Sequence, residues 1–334
     1  MTKKFMQGNI AAAESALANG LQIYAGYPIT PSTECMEYLA SKMDHRHFIN
    51  AFSELEAINL LYGAGACGMR NMTATSGCGL SLMREAFSYM VGASVPSVIY
   101  VVMRFSPGLG GLTPSNQDIT LFWGTGHGES KTVIFTPSTV QEIADCTMWA
   151  FDIADKLRLP VFVMVDAVLG QMYELCEIKK SNIPISEKEW AVGKNKNTVI
   201  TSRRTVSSYQ SMDDEQTKQF NEVITKEKHM MKVCHAFTDY QYHYKENKDG
   251  IFITGIGTTG RVIQEVADKK GYGYIVPILL SPMSKIHNVN KLYVVEVGGT
   301  ALYDIMRHTY PDAQIISIIY PNNIPNVDDL LEKI

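Results

Sequence analysis

From residue 8 to about 180 the chain alternates between segments whose apolar residues recur with the helical period and short runs that are apolar almost throughout. That alternation predicts an α/β fold, with helices packed on a mostly parallel sheet. Helices are expected at 10–18, 33–43, 55–68, 80–91 and 138–157, and strands at 21–25, 47–52, 72–75, 97–103, 132–135 and 160–166. Gly20 is placed to end the first helix in a left-handed cap. The β-branched run at 97–103 reads as a strand buried on both faces. The glycine-rich stretch 104–128 is too long for an idle connection, so it is expected to carry function.

Near residue 180 the composition turns to lysine, asparagine and serine, and a polar stretch follows with a helix expected over 213–235. A second α/β unit begins at Gly250, with strands at 250–254, 273–279, 291–296 and 314–319 and helices at 260–269 and 300–308. The expected division is a domain at 1–180, a polar linker with a helix at 181–248, and a smaller α/β domain at 249–334. A length of 334 residues accommodates two cores.

Composition narrows the picture. Hydrophobic residues make up 46% and charged residues 19%, which leaves a lean charged surface and hints at area covered by partners. The net charge of −4 comes with no long basic run, so neither nucleic acid nor an anionic membrane is an expected ligand. The uncharged run 86–103 approaches spanning length, but Gly92, Ser94, Pro96 and Ser97 divide it into helix, turn and strand. The six cysteines are scattered with no C-x-x-C pair, as expected of reduced intracellular thiols, and supply no obvious zinc or iron–sulfur cradle. The amino terminus leads into a polar amphipathic helix without a secretory pattern, and a cytoplasmic location is expected.

Four places carry candidate chemistry. In Gly26-Tyr27-Pro28-Ile29-Thr30-Pro31-Ser32-Thr33-Glu34 two prolines fix a threonine between a strand and a helix. Ser53-Glu54 places a carboxylate where a strand meets a helix, a position that the helix dipole alone also favours. Arg104 ends a buried strand at the mouth of the glycine-rich loop, suited to bidentate carboxylate binding. Gly255-x-Gly257-x-x-Gly260 follows a strand and opens a helix, but the next strand ends at Pro277-Ile278-Leu279 without a ribose-binding acid. It therefore reads as a tight turn, with Arg261 either an anion ligand or a solvated helix residue. His127, between glycines, reads as a packed loop histidine.

Together with Met72-Thr73-Ala74-Thr75-Ser76-Gly77-Cys78-Gly79-Leu80, the first two segments resemble the α-type subunit of the 2-oxoacid:ferredoxin oxidoreductases, which use thiamine diphosphate. Pro107-Gly108-Leu109-Gly110, Gly126-His127-Gly128-Glu129, Thr136 to Glu142, Leu169-Gly170-Gln171-Met172 and Trp190-Ala191-Val192-Gly193 are more similar to the branched-chain, 2-oxoisovalerate type than to the 2-oxoglutarate type. Cys78 and Phe105 depart from the residues common among relatives. The resemblance implies a thiamine-diphosphate-fold pyrimidine-binding domain with a mostly parallel sheet, plus a smaller domain like the transketolase carboxy-terminal one. It implies that Glu54, 19 residues before Thr73, shares a proton with the aminopyrimidine ring, and that Thr75, Ser76 and Gly77 help to hold the cofactor. Thr30 and Arg104 are implied as binders of the 2-oxoacid carboxylate.

The Gly-Asp-Gly motif that holds the Mg²⁺ of thiamine diphosphate does not occur, and no metal ligand is expected in this chain. The resemblance therefore implies half of an active site. A β subunit would supply the diphosphate site and Mg²⁺, γ and ferredoxin-like δ subunits would carry iron–sulfur clusters, and coenzyme A and ferredoxin would take the products. The implied reaction is oxidative decarboxylation of a 2-oxoacid, 2-oxoisovalerate-like, to acyl-CoA and CO₂. The alternatives are 2-oxoglutarate as substrate, or a scaffold subunit without catalysis.

Overall fold

The computed structural model describes residues 3–128, 130–194 and 228–334. Its first half runs β1 (Lys4–Gln7), α1 (Gly8–Ala18), β2 (Ile23–Gly26), α2 (Thr33–Lys42), β3 (Phe48–Asn50), α3 (Glu54–Ala66), β4 (Asn71–Thr75), α4 (Gly77–Ala93) and β5 (Ser97–Met103). A short 3₁₀ helix (Gln117–Trp123) lies within the glycine-rich stretch. Then follow β6 (Val133–Phe135), α5 (Val140–Leu157), β7 (Pro160–Asp166), α6 (Ala167–Gln171) and β8 (Tyr173–Cys176). The second half begins with α7, helical over 228–237, and continues β9 (Tyr242–Lys245), β10 (Ile251–Thr254), α8 (Gly257–Lys270), β11 (Gly273–Pro277), β12 (Leu279–Ser281), β13 (Lys291–Val297), α9 (Ala301–Thr309), β14 (Gln314–Tyr320) and α10 (Val327–Lys333).

The larger sheet has the order β12-β6-β7-β5-β4-β2-β3, parallel throughout except for β12. All seven residues of β5 are buried, and they alternate between two cores. Val98, Tyr100 and Val102 join the layer that contains α1 and α5; Ile99, Val101 and Met103 join the one that contains α3 and α4. That two-sided burial is what the unbroken apolar run predicts. The smaller sheet has the order β14-β13-β10-β11-β9, with β9 antiparallel. Leu292 and Val294 of β13 face the α3/α4 core, while Tyr293 and Val295 pack under α8.

Several elements differ from the pattern's expectation. The strand expected over 273–279 breaks at Ile278: β11 stays in the smaller sheet, whereas β12 crosses to the larger one beside β6. Residues 242–245, expected within the linker, pair with β11 as an edge strand. The helix expected over 213–235 lies outside the described residues up to 227. The first helix is not a polar surface helix: Ala11, Ala12, Ala13, Ser15 and Ala16 are buried, and Ser15 Oγ donates to Ala144 O of α5 at 2.6 Å. Its small residues allow that close approach. β1 and β8 form a separate two-stranded ribbon that no local pattern announced.

Candidate active site

In parallel sheets flanked by helices, ligands bind beyond the carboxyl ends of the strands. Each of the candidate residues leaves such an end: Thr30 after β2, Glu54 after β3, Thr75-Ser76-Gly77 closing β4 and opening α4, and Arg104 after β5. Adjacent strands thus gather residues from four separate stretches.

Glu54 is the first residue of α3 and is 6% exposed. Its place is set by its neighbours. Ser53 Oγ accepts the Glu56 N–H at 3.2 Å, and the Glu56 carboxylate accepts the Phe52 N–H at 2.6 Å, a reciprocal cap that fixes the turn into the helix. The Glu54 carboxylate lies against Gly79, where an added Cβ would come 2.5 Å from Oε1 and 2.6 Å from Thr75 Oγ1. Glycine at 79 is what lets the acid and the threonine converge. The hydroxyls of Thr73, Thr75 and Ser76 are buried and have no hydrogen-bond partner among the described residues. Ser76 is the N-cap residue of α4, yet its side chain makes no capping bond. A buried acid beside unpartnered hydroxyls is a donor and acceptor set that fits an aminopyrimidine ring.

Arg104 is 5% exposed, and it ties the second cluster together. Its Nη1 donates to Thr30 O at 2.7 Å; Nη2 donates to Leu109 O at 3.0 Å and reaches Cys78 Sγ at 3.5 Å. The guanidinium therefore braces the Pro-Ile-Thr-Pro turn against the glycine-rich loop, with Nε and one Nη1 hydrogen uncommitted among the described residues. Thr30 itself is exposed. Its turn is anchored from below, because Asn9 Nδ2 donates to Pro31 O at 2.8 Å and to Glu34 Oε2 at 2.9 Å. Tyr100 of β5 in turn donates to Asn9 Oδ1 at 2.9 Å.

Next to this cluster lies a cavity of about 410 Å³ whose lining includes Gly77, Cys78, Arg84, Asp118 and Leu121. Burial pushes the Asp118 carboxyl up to about 6, against the opposing pull of the Gly77 and Arg104 backbone N–H groups and of the Arg104 and Arg84 charges. Asp118 Oδ2 is buried with no partner among the described residues. Sequence reading missed Asp118, because an acid inside an irregular loop carries no periodic signal. It also passed over Gly79 and Asn9, whose roles depend on contacts distant in sequence.

Other candidates resolve differently. The α8 amino terminus at Gly257 is already occupied by Asp166 of β7, whose Oδ2 accepts the Thr258 N–H at 2.7 Å and whose Oδ1 accepts from Thr258 Oγ1 at 2.9 Å. Arg261 is an exposed residue of α8 that pairs with Glu174 at 2.8 Å. His127 is exposed and packs edge-on against Tyr89. Four cysteines are buried as expected, but Cys67 is exposed and Cys78 half-buried. Among the described residues no cluster of three or more His, Cys, Asp or Glu could hold a metal ion, and no helix is long and apolar enough to cross a membrane.

Comparison with known proteins gives this geometry its context. The chain is 44% identical over 204 residues to the ketoisovalerate oxidoreductase subunit VorB of Methanothermobacter thermautotrophicus, covering 60% of this chain and 58% of that one. It is 37% identical over 292 residues to VorB of Methanothermobacter marburgensis, covering 84% and 81%. The 2-oxoglutarate synthase subunit KorA of Methanocaldococcus jannaschii is 40% identical over 178 residues, covering 52% and 48%. Among solved structures, a 2-oxoglutarate:ferredoxin oxidoreductase from Magnetococcus marinus, with 2-oxoglutarate, coenzyme A and succinyl-CoA bound, matches with a TM-score of 0.78 at 20% identity. That match covers 99% of this chain and 64% of the other, and it speaks to the fold alone. With the pyruvate flavodoxin/ferredoxin oxidoreductase, thiamine diphosphate-binding family matching residues 14–240, the chain belongs to that family.

Proposed function

We propose that this chain is the pyrimidine-binding, α-type subunit of a thiamine diphosphate-dependent 2-oxoacid:ferredoxin oxidoreductase that converts a 2-oxoisovalerate-like acid to acyl-CoA and CO₂. The observation that carries the reading is the buried Glu54 carboxylate converging with Thr75 over Gly79, beside hydroxyls that have no partner among the described residues. Glu54, with Thr75, Ser76 and Gly77, would hold the aminopyrimidine, and its carboxyl would pass a proton to and from the ring nitrogen. Thiamine diphosphate, when bound, supplies the electron sink for decarboxylation. Thr30 and Arg104 would orient the 2-oxoacid carboxylate at the adjoining strand end, and the loop that begins at Arg104 would exclude water. A β subunit carrying the diphosphate and Mg²⁺ site, γ and δ subunits carrying iron–sulfur clusters, ferredoxin and coenzyme A complete the cytoplasmic system in this reading.

The test is Glu54→Gln in the complex assembled with its partner chains under anaerobic conditions. Coenzyme A-dependent viologen reduction with 2-oxoisovalerate, pyruvate and 2-oxoglutarate should fall by roughly 10²–10⁴-fold, the usual contribution of a positioned acid–base group. Assembly should be unaltered. Full activity in the variant would refute the role of Glu54.

A further inference from the structure

Resting on the function just proposed, the walls of the 410 Å³ cavity bear on which 2-oxoacid enters. The cavity begins beside Arg104, since Cys78 both lines it and touches Nη2 of that arginine at 3.5 Å. A 2-oxoacid whose carboxylate is held at Arg104 and Thr30 therefore has this cavity within reach of its side chain. The lining contains two ionisable groups of opposite sign, Asp118 on the 3₁₀ helix and Arg84 on α4. The rest is uncharged, with Leu80, Leu121, Pro107 and Cys78 giving it an apolar character.

Arg84 is not a free cation. Its Nε donates to Thr125 O at 3.1 Å and its Nη2 to Gly124 O at 2.9 Å, and its charge acts on Asp118 after that of Arg104, which the substrate's own carboxylate would offset. With both groups ionised the walls carry no formal net charge. A second carboxylate on the substrate would then trade its hydration for a site that offers no uncompensated cation, which is unfavourable. A neutral aliphatic tail loses no such hydration and meets apolar wall atoms.

We infer that Asp118 and Arg84 act as a balanced charge pair that sets side-chain specificity, admitting 2-oxoacids with uncharged tails and discriminating against those with a second carboxylate. Neither residue is assigned a part in the bond-breaking steps. Asp118 works by cancelling Arg84, so removal of either charge should shift the preference in a direction fixed by the charge left behind.

The experiment uses the assembled complex and compares kcat/KM for 2-oxoglutarate with kcat/KM for 2-oxoisovalerate. Asp118→Asn leaves Arg84 uncompensated and should raise the 2-oxoglutarate to 2-oxoisovalerate ratio about tenfold, equivalent to about 1.4 kcal/mol. Arg84→Met leaves Asp118 uncompensated and should lower the ratio by a similar factor. The double variant should return close to the wild-type ratio. Calorimetric binding of glutarate and isovalerate, which lack the reacting carbonyl, should follow the same order and reads specificity apart from turnover. If both single variants move the two substrates equally, the pair is only structural and the inference is overturned. Should Arg84→Met or Asp118→Asn fail to fold, Thr120→Lys, on the exposed rim of the same cavity, must raise the ratio; an unchanged ratio there also overturns it. A wild-type complex that oxidises no 2-oxoacid would instead refute the proposed function itself.

Discussion

Gly79 shows how one residue controls the candidate site. In an exposed helix, alanine is favoured over glycine by about 1 kcal/mol. Here an added methyl would meet Glu54 Oε1 at 2.5 Å, Thr75 Oγ1 at 2.6 Å and Glu54 Cγ at 2.8 Å. Gly79→Ala should therefore cost function rather than fold. The expected outcome is a loss of thiamine diphosphate affinity of roughly tenfold or more, measured by calorimetric titration of the assembled complex, since a misplacement of about 1 Å is enough for large losses. Undiminished affinity would show that the Glu54–Thr75 convergence is not where the ring binds. Glu54 was legible in the sequence as a carboxylate at a strand-to-helix junction, whereas Thr75, Ser76 and Gly77 were implied only by the resemblance of their motif. Gly79 was visible within the same motif, but its reason was not, because the Glu54 atoms that crowd it come from a different helix.

At the scale of elements, the junction of β13 and α9 shows what burial does to a carboxyl. Glu296 is 1% exposed and accepts the Leu302 N–H at 2.8 Å and the Tyr303 N–H at 3.2 Å, closing the first turn of the helix. Desolvation nonetheless pushes its carboxyl up to about 8, the two N–H groups opposing it. The sign follows from linkage: the folded state holds the proton where the unfolded chain has released it, so stability is full below the ordinary glutamate range and is lost as pH rises toward about 8. Glu296→Gln removes this titration. Chemical denaturation at pH 5 and pH 8 should show the variant gaining on the wild type as pH rises, and a constant difference would count against the shift. Most elements of this kind were predictable to within a few residues, because long apolar runs and helical periods are local signals. The break at Ile278 was not. Nothing in Pro277-Ile278-Leu279 announces that one strand will be shared out between two sheets; only the vacant edge beside β6 accounts for it.

The whole molecule is held by contacts between its two α/β units. β12 adds to the larger sheet, and Gln117 of the glycine-rich loop donates to Gly298 O. His243 of β9 meets the buried Glu142 of α5 at 2.6 Å. Asp166 is the strongest of these ties: it caps α6 through the Val168 and Leu169 N–H groups, at 3.0 and 2.9 Å, while also receiving both donors of Thr258. Asp166→Ala would leave four donors without their acceptor, and with charged hydrogen bonds worth about 1.5–3 kcal/mol each and not additive, a loss of about 3 kcal/mol or more is expected. Urea denaturation measures it. A loss under about 1 kcal/mol would mean that Asp166 is not a principal tie between the two units.

The sequence by itself determined the α/β class, the order of most elements, the Pro-Ile-Thr-Pro turn and the junction positions of Glu54 and Arg104. These rest on local physics: periodic burial, proline's fixed φ, and the helix-start preferences of serine and acid. Tertiary structure decided what those residues meet. It brought Arg104 onto the Thr30 carbonyl across 74 residues, set the Glu54 carboxylate against Gly79, and seated Asp166 at the tight turn Gly255-x-Gly257-x-x-Gly260. It also opened a cavity between α4 and an irregular loop, with Asp118 and Arg84 in its walls. A hydrogen bond or a charge balance belongs to the space between segments, and no single stretch of chain encodes which other stretch will lie across from it.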